Sequence, residues 1–433
     1  MKTKAIRIYG EKDLRLDEFD LPPLKEDEIL AKIVSDSICM SSHKLALQGE
    51  RHKRVRHNLK EKQPIIGHEF CGELVEVGAK WKGKFKAGNK FVVQTALNAP
   101  GPDGKATLWA PGYSYEFIGG DATYVIIPKE VMEMGCLLEY KAKSFYLGSL
   151  GEPISCIAGA FHAQYHTEGG SYVHQMGIVG KGSVALLAAA GPMGLGAIAY
   201  AIHCDRKPGL LVVTDIDEDR LQRAASVFSP QEAAKYGVRL EYVNTKKLTN
   251  PIADLKEINK GKLYDDVFVF APVKPVVEMG DQLLGSDGCL NFFAGPTDTS
   301  FSAFINFYNV HYESHHLVGT SGGNTDDLKE SIALMSKGQF DPSSLITHVG
   351  GLNAVPETTI DLDKIPGGKK LIYTHKNLPL TDIADFAQMG EKAPSDGPLN
   401  SAFWKTLAEI IEKNKGLWCG EAETFLLKNA PDI

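Results

Sequence analysis

The distribution of apolar and polar positions divides the chain into two patterned regions. In the first 155 residues, short segments mix β-branched residues with alternating polar positions, and Gly and Pro separate them, which is typical of β-strands. These segments are Glu28–Val34, Phe70–Val77, Lys90–Val93 and Ala122–Pro128. Many Gly, Pro and aromatic residues over 98–120 predict a long loop in the same region.

After residue 155, apolar runs alternate with helical patterns. The apolar runs are Ser183–Ala190, Leu210–Thr214, Asp266–Ala271 and Cys289–Ala294, and the helical patterns include Asp217–Tyr236 and Lys274–Leu284. Strands that alternate with helices indicate βαβ units and a parallel sheet. From about 345 the chain is strand-like again at Leu371–Thr374, and Asn400–Lys428 follows a helical pattern.

These patterns predict an α/β protein in which a β-rich domain accompanies a doubly wound parallel sheet. We place the domains at 1–155, 156–345 and 346–433, where the pattern changes. A chain of 433 residues fits two or three domains. It is also long enough to bury a large core without disulfides.

Composition and charge narrow the functional classes. Apolar residues make up 43% of the chain and charged residues 23%, as in ordinary soluble proteins. The net charge of −7 argues against a nucleic-acid partner, which requires a basic surface. The stretch Ser183–Cys204 contains no Lys, Arg, Asp or Glu, but Gly and Pro interrupt it. A strand, a turn and a buried helix explain this stretch better than a membrane span.

The cysteines and the first segment indicate the compartment. None of the seven cysteines forms a CxxC pair, which is typical of free thiols in a reducing environment. Residues 1–30 contain no apolar core of a secretory signal. We therefore expect a cytoplasmic protein.

A glycine-rich turn marks a candidate nucleotide site. Gly191, Pro192, Met193 and Gly194 lie where an apolar strand becomes an Ala-rich helix. Residues without a Cβ let the backbone approach a pyrophosphate, and the helix N-terminus offers free N–H groups to it. Asp215 ends the next apolar run. In dinucleotide-binding folds, the carboxylate that binds the adenosine ribose follows the glycine turn by about 20 residues, which is close to the position of Asp215.

The residues around Asp215 bear on the choice of cofactor. Asp215 favours NAD(H), because the 2′-phosphate of NADP(H) would face its carboxylate. Arg220 and Arg223 follow closely, so NADP(H) stays an alternative. A glycine turn and a helix-capping Asp without a ligand is the other interpretation.

Three scattered residues form a candidate metal site. Cys39, His68 and Glu152 would supply a thiolate, an imidazole and a carboxylate, the donor set of a catalytic zinc with one open position. Their spacing alone leaves a buried free cysteine and a core histidine as an equal alternative.

Four segments in their order along the chain resemble the signature of the zinc-dependent medium-chain alcohol and polyol dehydrogenases. The segments are Ser37–His43, Gly67–Gly78, Glu152–Ser155 and Gly191–Leu195. The resemblance covers about residues 1–375. It implies a GroES-like catalytic domain wrapped around an inserted Rossmann domain, with the final segments returning to the catalytic domain.

The resemblance also implies the catalytic residues. One zinc would be held by Cys39, His68 and a carboxylate, for which Glu152 is the first choice and Glu69 the second. Ser41 would pass a proton to the developing alkoxide. The family often places a relay histidine five residues after the zinc cysteine. Here Lys44 occupies that position and His43 precedes it.

A structural zinc is not expected beside the catalytic one. Many members of the family carry a four-cysteine lobe in the region of residues 94–115. This chain has no cysteine between 71 and 136, so we expect one zinc per subunit.

A closer resemblance is to the sorbose 1-phosphate reductases of this superfamily, and it runs nearly the full length. It is carried by Ile66–Phe70, Tyr113–Gly120, Cys289–Pro296, Ile305–Tyr312 and Val318–Asp327. It implies reduction of L-sorbose 1-phosphate to glucitol 6-phosphate with NAD(P)H. The alternatives are a polyol dehydrogenase for an unphosphorylated sugar alcohol and a non-catalytic cofactor-binding protein.

A basic run between the two metal-ligand segments is a candidate phosphate site. Within Arg51–His57, Lys53 and Arg54 would hold the dianion of a sugar phosphate. A solvated charged loop is the usual role of such a run and remains the alternative.

Two further segments concern the cofactor and the assembly. Ala294 and Ser321 are predicted to contact the cofactor, although the Ser321 segment could equally end in an N-cap at Asn324. Dimers or tetramers are usual in the resembled family, through edge pairing of the Rossmann sheets. We expect a homodimer or homotetramer, to which the apolar segment Phe292–Phe307 could contribute.

Overall fold

The computed structural model describes residues 1–56, 58–101 and 103–433. The strands in chain order are β1 Lys2–Gly10, β2 Asp13–Asp20, β3 Ile29–Ile38, β4 Phe70–Val77, β5 Lys90–Val93, β6 Tyr124–Ile127, β7 Leu137–Glu139, β8 Tyr165–His166, β9 Gln175–Met176, β10 Ser183–Leu187, β11 Leu210–Asp215, β12 Arg239–Asn244, β13 Tyr264–Val269, β14 Leu284–Phe292, β15 His316–Val318, β16 Ile346–Gly351, β17 Lys369–Tyr373 and β18 Thr381–Asp382.

The α-helices lie between and after these strands. In chain order they are α1 Met40–Gln48, α2 Lys129–Glu133, α3 Phe145–Ser149, α4 Gly151–Ala163, α5 Pro192–His203, α6 Glu218–Val227, α7 Pro230–Lys235, α8 Pro251–Ile258, α9 Lys274–Leu283, α10 Phe307–Tyr312, α11 Thr325–Ser336, α12 Val355–Ile360, α13 Phe386–Lys392, α14 Ser401–Lys413 and α15 Gly420–Asn429. Among the described residues, no helix is both long and apolar enough to span a bilayer.

The chain forms two compact units. One contains Met1–Glu152 and Ser331–Ile433 and is called the catalytic unit after the role that the resemblance implies; the other contains Pro153–Glu330 and is called the nucleotide unit after its glycine turn. The boundaries expected from sequence lie after 155 and 345. Both observed divisions fall inside continuous helices, α4 and α11. A change in composition does not mark a boundary of that kind.

The catalytic unit is built on one large mixed sheet. Its strands follow the order β18-β16-β17-β3-β4-β5-β7, and β6 pairs with β3 beside this path. The long strand β3 lies inside this sheet, and its side chains are buried on both faces. Strand β17 returns from the end of the chain to pair antiparallel with β3, with Ile372 opposite Asp36. The C-terminal part therefore completes the sheet that carries the site.

The nucleotide unit contains a six-stranded parallel sheet in the order β12-β11-β10-β13-β14-β15. This is the strand order of a doubly wound dinucleotide-binding fold, in which ligands bind at the carboxyl ends of the central strands. Strand β10 is fully buried, which explains its continuous apolar run. The predicted α/β class with a parallel sheet is confirmed.

The helical pattern predicted over Asp217–Tyr236 is wrong as a single helix. It forms α6 and α7, because the Ser229 side chain accepts the Glu232 N–H and Pro230 begins the second helix. Proline cannot continue the preceding helix, and its fixed φ suits a first turn.

Candidate active site

The register of β3 and β4 creates the metal site. The two strands are antiparallel, and Asp36 near the end of β3 lies opposite Phe70 at the start of β4. Cys39 follows β3 as the N-cap of α1, and His68 and Glu69 immediately precede β4. The antiparallel register therefore brings residues separated by about thirty positions to the same end of the sheet.

Cys39, His68 and Glu69 converge on one point. One potential ligand atom from each residue lies within 4.8 Å of the others. Sulfur, imidazole nitrogen and carboxylate oxygen are the donors that zinc accepts, and three protein ligands leave the fourth position open. The residues present therefore fit a catalytic zinc.

His68 is held between two hydroxyl groups. Its Nδ1 lies 3.2 Å from Ser42 Oγ, and its Nε2 lies 3.2 Å from the Tyr113 hydroxyl. A tautomer protonated on Nδ1 donates to Ser42 and leaves the Nε2 lone pair for a ligand bond. Burial lowers the pKa of His68 to about 4, so the imidazole is neutral and able to ligate.

The Cys39 sulfur accepts a hydrogen bond from the backbone N–H of Ser41. Desolvation by the surrounding protein still raises the pKa of the thiol to about 12, even though the nearby Lys369 ammonium lowers it. A thiol in this environment needs a cation to become a thiolate.

Glu69 is the carboxylate that the structure brings to this cluster. Both of its oxygens accept from Lys369 Nζ, at 2.5 and 2.6 Å, and one also accepts from the Ser37 hydroxyl. Its backbone N–H donates to Asp36 at 2.9 Å. Burial is the largest single influence and opposes ionisation, but the Lys369 charge, His68 and the hydrogen bonds from Lys369 and Ser37 together hold the pKa of Glu69 below its usual value.

Glu152 lies near the cluster but is not one of its three members. It is half-buried in the first turn of α4. Its charge raises the pKa values of Cys39 and Tyr113, although burial is the larger cause for both groups. Glu152, the first-choice ligand, is therefore close enough for its charge to affect residues of the site.

The residues expected in the proton path, Ser41, His43 and Lys44, have different surroundings. The Ser41 side chain is hydrogen-bonded to the Tyr113 hydroxyl. His43 is buried away from that pair, with its Nδ1 2.9 Å from the Thr359 carbonyl oxygen and its Nε2 4.0 Å from Asp363. Lys44 is half-buried.

The basic run approaches the site through one residue. The Arg54 guanidinium lies 5.3 Å from the centre of the Tyr113 ring, and its Nη1 donates to the Leu108 carbonyl oxygen at 3.1 Å. The Arg54 charge contributes to the low pKa of His68, behind burial and the effects of nearer groups. Lys53 is exposed to solvent, and His57 lies outside the described residues.

The glycine turn occupies the carboxyl end of β10. Gly191 is the N-cap of α5, Pro192 is its first residue and Met193 follows. A Cβ on Gly194 would lie 1.9 Å from the Ala189 carbonyl oxygen, so only glycine fits there. This geometry leaves the first N–H groups of α5 for an anion.

Asp215 closes the turn from the adjacent strand. Its carboxylate accepts the N–H of Ala190 at 3.0 Å and those of Ile216 and Asp217 at 2.8 and 3.1 Å. Arg220 is exposed on α6, where its guanidinium lies 3.4 Å from Asp217. A carboxylate tied to the turn backbone has a position independent of any ligand.

Ala294 and Ser321 lie in different parts of the nucleotide unit. Ala294 follows β14, and its N–H donates to the Val269 carbonyl oxygen at 3.0 Å. Ser321 is exposed before α11. Asn324 accepts the N–H groups of Asp326 and Asp327, which is the N-cap geometry of the alternative interpretation.

Three residues of the site were missed by sequence reasoning. Ser42 and Tyr113 contact His68, and Lys369 neutralises Glu69. Ser42 and Tyr113 lie inside segments used for the resemblance, but nothing in their spacing indicates a role. Lys369 is 300 residues from Glu69, and only the pairing of β17 with β3 predicts that they meet.

Two family descriptions match the chain. Residues 25–134 match the alcohol dehydrogenase GroES-like domain, and residues 192–337 match the zinc-binding dehydrogenase family. Both matches end before the C-terminal helices α13 to α15.

Similar proteins cover the whole chain. Mannitol-1-phosphate 5-dehydrogenase of Aliivibrio fischeri is 51% identical over 99% of this chain and 98% of its own. L-sorbose 1-phosphate reductase of Klebsiella pneumoniae is 45% identical over 100% of this chain and 98% of its own.

A solved structure shares the fold. The crystal structure of 2R,3R-butanediol dehydrogenase from Bacillus subtilis superposes with a TM-score of 0.65 at 22% identity, covering 86% of this chain and 99% of the other.

Proposed function

The chain belongs to the zinc-dependent medium-chain dehydrogenase/reductase superfamily, and on that premise we propose that it reduces a ketose phosphate with a nicotinamide cofactor. The proposed reaction converts L-sorbose 1-phosphate to glucitol 6-phosphate. The single observation that carries it is the Arg54 guanidinium beside Tyr113, whose hydroxyl contacts the metal-site residue His68. A cation there can bind a phosphate while the carbonyl lies at the metal site.

The metal would be held by Cys39, His68 and one carboxylate. One Glu69 oxygen lies within 4.8 Å of the other two ligand atoms, whereas Glu152 lies outside that group; Glu69 is also the carboxylate that pairs with Lys369. A zinc bound there would supply a Lewis acid for the carbonyl oxygen. We expect one zinc per chain, because the sequence has no cysteine between 71 and 136 that could form the four-cysteine lobe.

The nucleotide unit would bind NAD(H) in preference to NADP(H). Asp215 is held against the glycine turn, so a 2′-phosphate beside it would meet a fixed negative charge. The nicotinamide would supply the hydride. The chain's own contribution is the anion site at the start of α5, which orients the pyrophosphate.

Ser41 and Tyr113 would deliver the proton that the alkoxide product requires. The Ser41 backbone N–H donates to the Cys39 sulfur, and the Ser41 hydroxyl would donate its proton to the forming alkoxide. Tyr113 is hydrogen-bonded to Ser41 and would pass its proton to Ser41 while taking up another that originates from solvent. Burial keeps the pKa of Tyr113 well above its usual value, so the phenol is protonated both before and after this transfer.

Arg54 would bind the substrate phosphate, with Lys53 as an outer contact. An arginine fork can hold two phosphate oxygens at once. The Tyr113 ring beneath Arg54 limits where the guanidinium can lie. A substrate without the phosphate would leave this cation without its partner.

Cofactor oxidation by the zinc-loaded protein tests the proposal. L-Sorbose 1-phosphate, D-fructose 6-phosphate and free L-sorbose are compared with NADH and NADPH. The second compound is the ketone formed by oxidising carbon 5 of mannitol 1-phosphate. Preference for L-sorbose 1-phosphate supports the proposed reaction. Preference for D-fructose 6-phosphate keeps the phosphate site but changes the substrate, and equal turnover of free L-sorbose rejects the phosphate site.

A second copy of the chain is the proposed partner. Strand β15 lies at one edge of the parallel sheet, and the neighbouring Phe304, Phe307 and Tyr308 are at least 66% exposed. An open strand edge beside exposed aromatics is a surface that pairing of two sheets would cover. Phe307→Glu should shift a dimer or tetramer toward monomer in sedimentation. Tyr172→Glu, at an exposed aromatic elsewhere in the unit, should not.

A further inference from the structure

The C-terminal segment shares a core with the catalytic unit. Trp404 and Leu407 of α14 and Leu426 of α15 pack in one apolar cluster with Tyr146 and Tyr373 of the earlier part of the unit. All five are nearly inaccessible to solvent. A segment that contributes this much of a core is part of the catalytic unit rather than an appended tail.

One carboxylate is buried beside this core and links α15 to the start of α3. Glu423 of α15 is 3% exposed and accepts the N–H groups of Phe145 and Tyr146 at 2.7 and 2.8 Å. It also accepts the Tyr373 hydroxyl at 3.0 Å, and that hydroxyl accepts the Trp418 indole N–H at 2.9 Å. A buried carboxylate is costly unless donors surround it, and here three donors converge on it.

The two backbone donors belong to the first turn of α3. An anion at a helix start satisfies N–H groups that have no partner within the helix. Glu423 therefore fixes where α3 begins, from about 280 residues away in the sequence. Side chains near α3 itself do not replace it, because the α3 N-cap Ser144 makes no side-chain capping bond.

Helix α3 is also fitted closely to the strands that carry the metal ligands. A Cβ on Gly148 would lie 2.4 Å from the Cys71 sulfur on β4, and Ser149 is hydrogen-bonded to Ser35 on β3. Cys39 follows β3, and the other two ligand candidates precede β4. The next residues after α3 begin α4 and carry Glu152.

We propose that Glu423 is a positioning residue that holds the segment 145–152, and through it Glu152, in register with Cys39, His68 and Glu69. This rests on the proposed function in one respect, the role of Glu152 at the metal site. The C-terminal helices thereby contribute to a catalytic centre that none of their own residues enters.

A double-mutant cycle on zinc affinity tests the proposal. Glu423→Gln keeps the shape of the side chain but turns one acceptor oxygen into a donor that faces N–H groups. We expect it to weaken zinc binding about tenfold, the size found when outer partners of metal ligands are removed. In a Glu152→Gln background the same change should alter zinc affinity less than about twofold, because the carboxylate that it positions is gone.

Matched variants separate positioning from general destabilisation. Leu407→Ala opens a cavity in the same core without touching Glu423, so it should lower the melting temperature and leave the zinc affinity of the folded protein unchanged. Should Glu423→Gln fail to fold, Tyr373→Phe removes a single donor and should weaken zinc binding in the same direction by a smaller factor.

The outcomes are distinct. Equal effects of Glu423→Gln in both backgrounds, no effect in either, or an equal effect of Leu407→Ala would overturn the proposal. Failure of the wild-type zinc protein to reduce any sugar phosphate would reject the proposed function instead, while the zinc affinities would still be measurable.

Discussion

Lys369 Nζ lies 2.5 and 2.6 Å from the two carboxylate oxygens of Glu69, and both side chains are shielded from solvent. The pair joins β17 to the segment that precedes β4, immediately beside His68. Burial of either charge alone would be unfavourable, and the opposite charge of the partner offsets the cost of removing each group from water. The ion pair thus holds the Glu69 carboxylate in place beside His68, and Lys369 competes with a metal ion for that carboxylate.

Removing Lys369 should destabilise the zinc-free protein strongly. Lys369→Gln would leave the Glu69 charge buried without its partner, and we expect a loss of about 3–5 kcal/mol in the free energy of unfolding. The loss should be smaller with zinc bound, because the metal supplies a counter-charge. Urea unfolding with and without zinc measures both values.

The control for this prediction is an exposed lysine pair. Lys364 is 2.6 Å from Asp361 with its side chain 71% exposed, so Lys364→Gln should cost less than about 1 kcal/mol. Equal losses for the two variants would show that the Glu69 pair is not energetically special.

Removing Cys39 should remove zinc and activity together. In Cys39→Ala only an imidazole and a carboxylate remain at the site, so the zinc content should fall from about one per chain to nearly none. Metal analysis and cofactor oxidation on the same sample provide the measurement. Cys204→Ala, a buried cysteine of the nucleotide unit, should keep the zinc. Full activity in metal-free Cys39→Ala protein would reject zinc chemistry.

Arg54 should determine phosphate recognition. Arg54→Ala removes charge-assisted hydrogen bonds of about 1.5–3 kcal/mol, so KM for the sugar phosphate should rise roughly 10- to 100-fold. Lys53→Ala should have a smaller effect, because Lys53 is exposed. Turnover of the free sugar should not change in either variant.

The basic run contains its own control for this prediction. Arg51 is 72% exposed and paired with Glu11, so Arg51→Ala should leave KM unchanged. A rise in KM of the same size for Arg51→Ala and Arg54→Ala would point to the net charge of the run rather than to a specific contact.

Unfolding of the protein should depend on the protonation of His162. Hydrogen bonds to Asp327 and then Glu330 raise the pKa of His162 from 6.5 to about 10, and the Tyr200 hydroxyl also contacts its ring. A raised folded-state pKa contributes stability that is complete below pH 6.5 and is lost as the pH rises through about 10. Allowing for the screening of a half-exposed side chain, we expect a contribution of about 1 kcal/mol.

Denaturant unfolding between pH 6.5 and 10 checks this dependence. His162→Gln should flatten the profile by removing the titrating group, whereas His174→Gln, at an exposed histidine, should reproduce the wild-type slope. An unchanged slope in His162→Gln would assign the pH dependence to other groups.

Local features of the chain were predictable where steric rules act over a few residues. The strand β10, the turn at Gly191 and the helix α5 follow from an apolar run, a position that admits no Cβ at Gly194, and Pro192 at the first helical position. The break between α6 and α7 was overlooked even though Pro230 marks it, because the helical periodicity continues across it.

The register of two strands decides which carboxylate lies beside Cys39 and His68. The family resemblance made Glu152 the first choice of carboxylate and Glu69 the second. The antiparallel pairing of β3 with β4 places Glu69 within 4.8 Å of Cys39 and His68, and leaves Glu152 outside that group. Which of the two binds the metal stays a prediction that zinc affinities of the two Gln variants will decide.

The sequence by itself determined the α/β architecture, the nucleotide turn and the identity of Cys39 and His68 as ligand candidates, because these depend on periodicity, steric exclusion and residue chemistry along short stretches. Only the tertiary structure brought Lys369 to Glu69, Tyr113 to His68 and Glu423 to the first turn of α3. Those contacts join residues 300, 45 and 278 positions apart. They form because sheet pairing and core packing bury charged and polar groups that must then find partners, and no local pattern records which partner that will be.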